Sequence, residues 1–176
     1  MKHSFYSYVV CLLIFVSNPS LASHNEEESD SDNSILTKEE VNAYLTGGSL
    51  DFDRVAEINH FPNPKRVLEI KNLLTLTRVQ NNRSTISYKL MRKYAIKAGR
   101  KIVRKENQLN YLFQQPNVDL HAVKKLVSEI ATLKGELRFT HLKAHVNQES
   151  YLTDEQITTY FLNKDSEKSV NYAYDE

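Results

Sequence analysis

His141 and His145 are the residues whose type and spacing best suit metal chemistry. They stand four residues apart, so on a helix both imidazoles lie on one face and can chelate a single ion. Neutral imidazole suits zinc, copper and nickel. Two ligands are an incomplete set, because a tight zinc site takes about four; Glu136, His60 or a second subunit would supply the others. The alternative interpretation is that His141, which falls beside an apolar stripe, is a hydrogen-bonded interface residue.

A long basic segment is the second candidate for a binding surface. Between Glu69 and Glu106 the sequence holds no acidic residue, although the whole chain has a formal net charge of only +1. On a helix, the cations of this segment form a broad face beside an apolar stripe. We expect this face to bind unfolded or acidic client proteins, because charge steers the encounter and apolar side chains hold the client. The residues that we expect to contact a client are Tyr88, Met91, Arg92, Lys93, Arg100 and Arg104.

The same basic segment allows two other interpretations. Its cations would also suit a peripheral contact with anionic lipid headgroups. They would equally suit a solvated face that pairs with acidic side chains of a neighbouring helix or of the N-terminal leader. Nucleic-acid binding fits the charge, but an export signal at the N-terminus argues against it.

The sequence contains no pattern that is typical of an enzyme. It has no HExxH motif, P-loop or dinucleotide fingerprint, and no serine lies in a nucleophile elbow. The single cysteine, Cys11, lies in an N-terminal apolar run that we expect to be removed. Cysteine catalysis, disulfides and thiolate zinc sites are therefore excluded from the mature chain. We expect a binding protein.

The first 22 residues have the pattern of a secretory signal. Lys2 provides the positive start, an uncharged apolar run follows, and small residues precede the end at Ala22. A membrane-spanning helix needs about 20 apolar residues, and this run is shorter. We predict cleavage after Ala22 and a periplasmic location, with an uncleaved anchor as the alternative. Residues 23–35 are acidic and polar, and we expect them to form a disordered leader.

The pattern Leu-Thr-x-x-Gln occurs twice, and each copy marks a position where a helix should begin. It is a capping box, in which the threonine hydroxyl accepts the backbone N–H three residues later and the glutamine side chain reaches back. The motif residues are Leu76, Thr77, Gln80, Leu152, Thr153 and Gln156.

Apolar residues spaced three and four apart predict two long helices. The first should run from Thr77 to about Gln114 and the second from about Leu120 to Gln148, joined by a short turn. A short turn between two long amphipathic helices gives an antiparallel hairpin. Shorter helices are expected to follow Thr37, and over residues 53–59, 64–74 and 154–162.

The predicted fold class is therefore all-α: an elongated antiparallel helical hairpin with short flanking helices. The helical domain should span residues 36–163, and residues 164–176 should form a disordered tail. A hairpin of this kind exposes much of its apolar stripe, so we expect a homodimer that buries it.

Three segments carry a resemblance to a known family: the two Leu-Thr-x-x-Gln motifs, residues 56–70, and residues 129–145 with their histidines. On these residues the chain resembles the Spy/CpxP-like LTxxQ family of periplasmic proteins, over about residues 50–162. The resemblance implies a helical, often dimeric periplasmic protein. Some members of the family are stress chaperones that cradle unfolded clients, and others are heavy-metal sensors or zinc-binding resistance proteins.

The chain departs from the family pattern at two places. Arg66 stands where related sequences often carry a histidine, and Arg78 with Val79 replaces the usual Pro-Glu of the first motif. The first change removes a possible metal ligand. The second places a cation in the first turn of a helix, where it slightly opposes the helix dipole.

We therefore expect a periplasmic stress protein that binds unfolded or acidic proteins, or an envelope-stress signalling protein, through its basic and apolar face. The alternative is a heavy-metal binding or sensor protein in which His141 and His145 hold a divalent transition metal. No other cofactor and no nucleic acid are expected.

Overall fold

The structure of the chain, a computed structural model, describes residues 35–172 and the side chains of residues 35–166. The chain divides into two units, residues 1–32 and residues 33–176, and the described residues all lie in the second. The predicted secretory signal, and all but the last residue of the predicted leader, lie outside the described residues.

The described part of the chain is all-α, as predicted, with six helices and no strand. In chain order the helices are α1 Lys38–Thr46, α2 Arg54–Ile58, α3 Pro64–Glu69, α4 Arg78–Phe113, α5 Leu120–Glu149 and α6 Asp154–Tyr172. Among the described residues, no helix is both long enough and apolar enough to cross a membrane.

The two long helices begin at the predicted residues because their caps are local. Thr77 Oγ1 accepts the N–H of Gln80 at 3.2 Å, and Gln80 Oε1 accepts the N–H of Thr77 at 2.9 Å. Asp119 Oδ1 accepts the N–H groups of His121 and Ala122 at the start of α5. Helix α4 has 36 residues, so at about 1.5 Å per residue it is about 54 Å long.

Helices α4 and α5 pack along each other in opposite directions. Ser84 near the start of α4 contacts Gln148 near the end of α5, whereas Lys105 further along α4 pairs with Glu129. Helix α1 packs against α4 and adds Tyr44 to the main core. The buried residues of this core are Leu36, Tyr44, Met91, Ala95, Ala98, Ile102, Leu137 and Ala144.

Helix α3 is shorter than predicted. It ends at Glu69, and turns follow as far as Thr75, whose φ of 48° lies in the left-handed region. These turns bury Leu74 against Tyr160 of α6 in a second apolar cluster. The helical spacing of residues 64–74 could not reveal this ending, because the cluster depends on a helix about 90 residues later.

Helix α6 is longer than predicted. It continues to Tyr172, through a segment that we expected to belong to a disordered tail over residues 164–176. Lys164 forms an ion pair with Glu57 of α2, and Asn163 Oδ1 accepts a hydrogen bond from an arginine of α3 at 3.0 Å. These contacts hold the helix past its predicted end, and no Gly or Pro interrupts it.

Candidate functional site

The two Leu-Thr-x-x-Gln motifs contact each other through their glutamines. Gln80 Nε2 donates to Gln156 Oε1 at 2.8 Å and to the carbonyl of Tyr151 at 2.9 Å. Gln156 Nε2 donates in turn to the carbonyl of Leu74 at 3.0 Å. Each glutamine also caps its own helix, since Gln156 Oε1 accepts the N–H of Thr153 at 3.0 Å. The motif residues therefore fasten the starts of α4 and α6 together.

His145 is held between two oxygen acceptors. Its Nδ1 lies 3.0 Å from the carbonyl oxygen of Phe61, and its Nε2 lies 3.1 Å from Asp53 Oδ2. Burial raises the pKa of Asp53, but hydrogen bonds from His145 and Ser49 and the charge of His145 outweigh it, so the pKa lies below its usual value. The carboxyl group is therefore ionised, and each ring nitrogen of His145 lies within hydrogen-bond distance of an oxygen atom.

His141 lies one turn away in a different environment. Its side chain is buried, and burial lowers the pKa of the imidazole despite the opposing charge of Asp53 and a backbone hydrogen bond at Gly48. The ring is consequently neutral, and its Nε2 has no hydrogen-bond partner among the described residues. Together the two histidines attach residues 47–61 to α5.

The described residues of one chain do not complete the metal site that the sequence suggested. Both nitrogens of His145 lie against oxygen atoms of the fold, one of Phe61 and one of Asp53, so neither faces an open position for an ion. Of the candidate additional ligands, Glu136 is exposed and His60 packs edge-on against Phe161. No group of three or more His, Cys, Asp or Glu side chains is placed to hold a metal within the part of the chain that the structure describes. The geometry instead fits the interface role that was the alternative interpretation for His141.

The six residues expected to contact a client do not form one surface. Met91 is buried in the main core, and Tyr88 packs against it. The Nε of Arg92 donates to the carbonyl of Thr46 at 3.1 Å, so this arginine holds the end of α1. The other three residues, Lys93, Arg100 and Arg104, are exposed.

The structure therefore separates the six residues, because α1 and α5 pack on the side of α4 that contains Met91. The cations stay on the opposite, solvated side of the same helix.

A different apolar surface is open to solvent. A groove of about 360 Å³ lies between α4 and α5, and we call it the α4–α5 groove. Its exposed apolar residues are Ile86, Leu90 and Tyr94 of α4 and Phe139 of α5.

Cations rather than acids border this groove. Arg83 and Lys143 take part in its lining, and none of the lining residues is acidic. Lys97 and Lys101 follow Tyr94 by three and seven residues, so they continue the same side of α4. The sequence did hold a signal for this groove, namely a second apolar row on α4 at a spacing of four residues, at positions 86, 90 and 94.

Comparison of the chain with protein-family models, with curated proteins and with solved structures found no match. The resemblance to the LTxxQ family therefore stays a prediction that rests on the motif residues.

Proposed function

We propose that the protein is a periplasmic stress protein of the Spy/CpxP-like type, which binds unfolded or acidic segments of other proteins in the α4–α5 groove. The observation that carries the proposal is the open apolar groove with a cationic border. The periplasmic location, the family and a dimeric state belong to the same proposal and rest on the sequence patterns.

The energetics favour an apolar segment as the ligand. Ile86 and Phe139 are 66 % and 65 % exposed, and Leu90 and Tyr94 are each about half exposed. Burying a fully exposed side chain of this kind contributes about 1.5–3 kcal/mol, and covering the exposed half to two-thirds contributes the corresponding share. A client that covers several of them therefore gains enough to offset part of the cost of association. Contiguous exposed apolar surface of this kind marks interaction sites.

The charges favour a client segment that also carries acidic residues. Arg83 and Lys143 border the groove with no acidic neighbour among its lining residues. Long cationic side chains can cover apolar surface with their stems while the charged group reaches a carboxylate. An unfolded acidic segment therefore fits better than a basic one.

Suppression of client aggregation tests the apolar part of the proposal. An acidic protein unfolded in denaturant is diluted into the chain beginning at Ser23, and light scattering is followed. We expect Leu90→Ser combined with Phe139→Ser to need at least tenfold more protein for equal suppression. Ile58→Ser and Leu162→Ser, which remove comparably exposed side chains outside the groove, should behave as the unmodified chain. Equal activity of all variants would refute the proposal.

The cations can be tested in the same assay. Arg83→Gln with Lys143→Gln should weaken suppression severalfold, because these residues border the groove. Lys93→Gln with Arg104→Gln removes the same amount of charge from exposed positions of α4 that do not line the groove, and serves as the control. A larger loss in the control pair would place the client on the basic side of α4 instead.

A further inference from the structure

The end of the α4–α5 pair opposite the two motifs exposes large apolar side chains. Tyr111, Phe113 and Leu120 are 62 %, 60 % and 74 % exposed, and Val118 lies in the turn between them. We call these four residues the tip. Neither core cluster of the described residues reaches beyond position 103 on α4 or before position 133 on α5. The tip therefore lies outside both core clusters.

The apolar side chains of the tip face several directions. Tyr111 and Phe113 are two residues apart on α4, so they project about 200° apart around the helix axis. Leu120 begins the neighbouring helix. A rigid protein surface could cover only one of these sides. A fluid apolar phase could surround all of them.

Exposed cations lie behind the tip, and the carboxylates near it are hydrogen-bonded or paired with lysines. Asp119 Oδ1 caps α5, Glu106 pairs with Lys134, and Glu129 pairs with Lys105. Three exposed cations occupy the same region, namely Arg104, Lys124 and Lys125. The surface behind the tip is therefore positive.

We propose that the tip inserts into the surface of an anionic lipid bilayer, with Lys124 and Lys125 at the level of the phosphates and Arg104 further behind. At about 1.5 Å per residue, Lys124 lies about 6 Å and Lys125 about 8 Å behind Leu120. These spacings match the about 5–10 Å to which interfacial apolar groups are buried. Tyrosine favours the membrane–water interface because its ring is apolar and its hydroxyl polar. The groove is a separate surface, so this inference does not depend on the proposed function.

The first experiment follows the fluorescence of one introduced tryptophan. The chain contains no tryptophan of its own, so the signal comes from the introduced residue alone. Phe113→Trp is introduced into the chain beginning at Ser23, whose residues from 33 onward form a compact unit by themselves. Vesicles of phosphatidylcholine mixed with phosphatidylglycerol should shift the emission to shorter wavelength, and vesicles of phosphatidylcholine alone should shift it much less.

Phe139→Trp, in the groove, is the matched control and should not shift with either vesicle. A shift at position 139 but not at position 113 would overturn the inference. A shift at position 113 that grows with protein concentration in the absence of vesicles would show that a second copy covers the tip, and would also overturn it.

Co-sedimentation with the phosphatidylglycerol vesicles measures the contributions of the side chains. Phe113→Ser with Leu120→Ser should lower the affinity at least tenfold, whereas Ile58→Ser with Leu162→Ser should leave it unchanged. Lys124→Gln with Lys125→Gln should lower it by about fivefold for each cation removed. Absence of binding by the unmodified chain, or equal binding by the tip variant, would overturn the inference. Tip variants should keep full suppression of client aggregation, so the two proposals can fail separately.

Discussion

His145 shows how the role of a single residue depends on its partners. The spacing of His141 and His145 is suitable for chelation, but spacing does not determine whether a nitrogen is free. In the fold, the two ring nitrogens of His145 lie 3.1 Å from Asp53 Oδ2 and 3.0 Å from the carbonyl oxygen of Phe61, both in a segment at least 84 residues earlier. The side chain therefore holds the N-terminal helices on α5.

Zinc binding separates the two interpretations of these histidines. A metal that binds the folded state raises its melting temperature. Because both ring nitrogens of His145 already contact oxygen atoms of the fold, we expect added Zn²⁺ to leave the melting temperature unchanged in differential scanning calorimetry. A rise that disappears when His141 and His145 are both replaced by alanine would instead support the metal-binding alternative.

His141 should make the protein sensitive to mild acid. Burial lowers its folded-state pKa below the ordinary value of 6.5, so the unfolded chain takes up a proton more readily than the folded one. The resulting loss of stability is absent well above pH 6.5 and grows as the pH falls below it. We expect His141→Leu to lose less free energy of unfolding than the unmodified chain between about pH 7 and about pH 5, as measured by urea denaturation.

The control is His121→Leu, which alters an exposed histidine at the start of α5. An acid sensitivity of His141→Leu equal to that of the unmodified chain would contradict the prediction. Asp53 contributes at lower pH: its depressed pKa stabilises the fold above the unfolded value of about 3.8, and this contribution is lost as the pH falls through its folded pKa.

At the scale of the elements, α1 approaches α4 closely at Gly99. A Cβ atom at this position would lie 2.1 Å from the backbone oxygen of Tyr44. Gly135 in α5 has nothing within 4 Å of the equivalent atom. The packing of α1 on α4 therefore requires a glycine at position 99, whereas no contact requires one at position 135.

Alanine at these two positions should have opposite effects. Gly99→Ala forces α1 away from α4 and should cost several kcal/mol, because overpacking a rigid backbone contact typically costs about 1–3 kcal/mol or more. Gly135→Ala should stabilise the protein by up to about 1 kcal/mol, since alanine is the better helix former. Thermal unfolding followed by circular dichroism measures both, and a neutral Gly99→Ala would contradict the close docking of α1 on α4.

The two motif glutamines should be energetically coupled. Gln80 and Gln156 lie 76 residues apart in the sequence but share a hydrogen bond. We expect Gln80→Ala and Gln156→Ala to show a coupling energy of about 1 kcal/mol in a double-mutant cycle. Gln80→Ala and Glu40→Ala should be additive, because Glu40 belongs to the separate capping box of α1. Additivity of the two glutamines would mean that each motif is only a local cap.

At the scale of the whole molecule, charge is segregated although its sum is nearly zero. The formal net charge is +1, yet residues 70–105 contain no acidic side chain. Client capture should therefore depend on ionic strength, because screening shortens the range of attraction to about 8 Å at physiological salt. We expect the association rate with an acidic client to fall severalfold between low and physiological salt in stopped-flow measurements. A basic client should show no such fall, and equal salt dependence for both clients would argue against steering.

The sequence alone determined the fold class and the bounds of the long helices. Thr77 and Asp119 cap their helices through hydrogen bonds that reach no more than three residues along the chain. The exposure of Lys93, Arg100 and Arg104 also followed from the sequence, since charged side chains seldom enter a core.

Only the tertiary structure decided which apolar face of α4 is covered and which remains open. Two rows of apolar residues run along α4. Helices α1 and α5 pack against the row that contains Met91, whereas the row that contains Leu90 remains exposed in the groove. The shared hydrogen bond of the two motif glutamines and the partners of His145 likewise join residues far apart in sequence. Such contacts depend on how all the helices pack together, and no local pattern of residue types determines that.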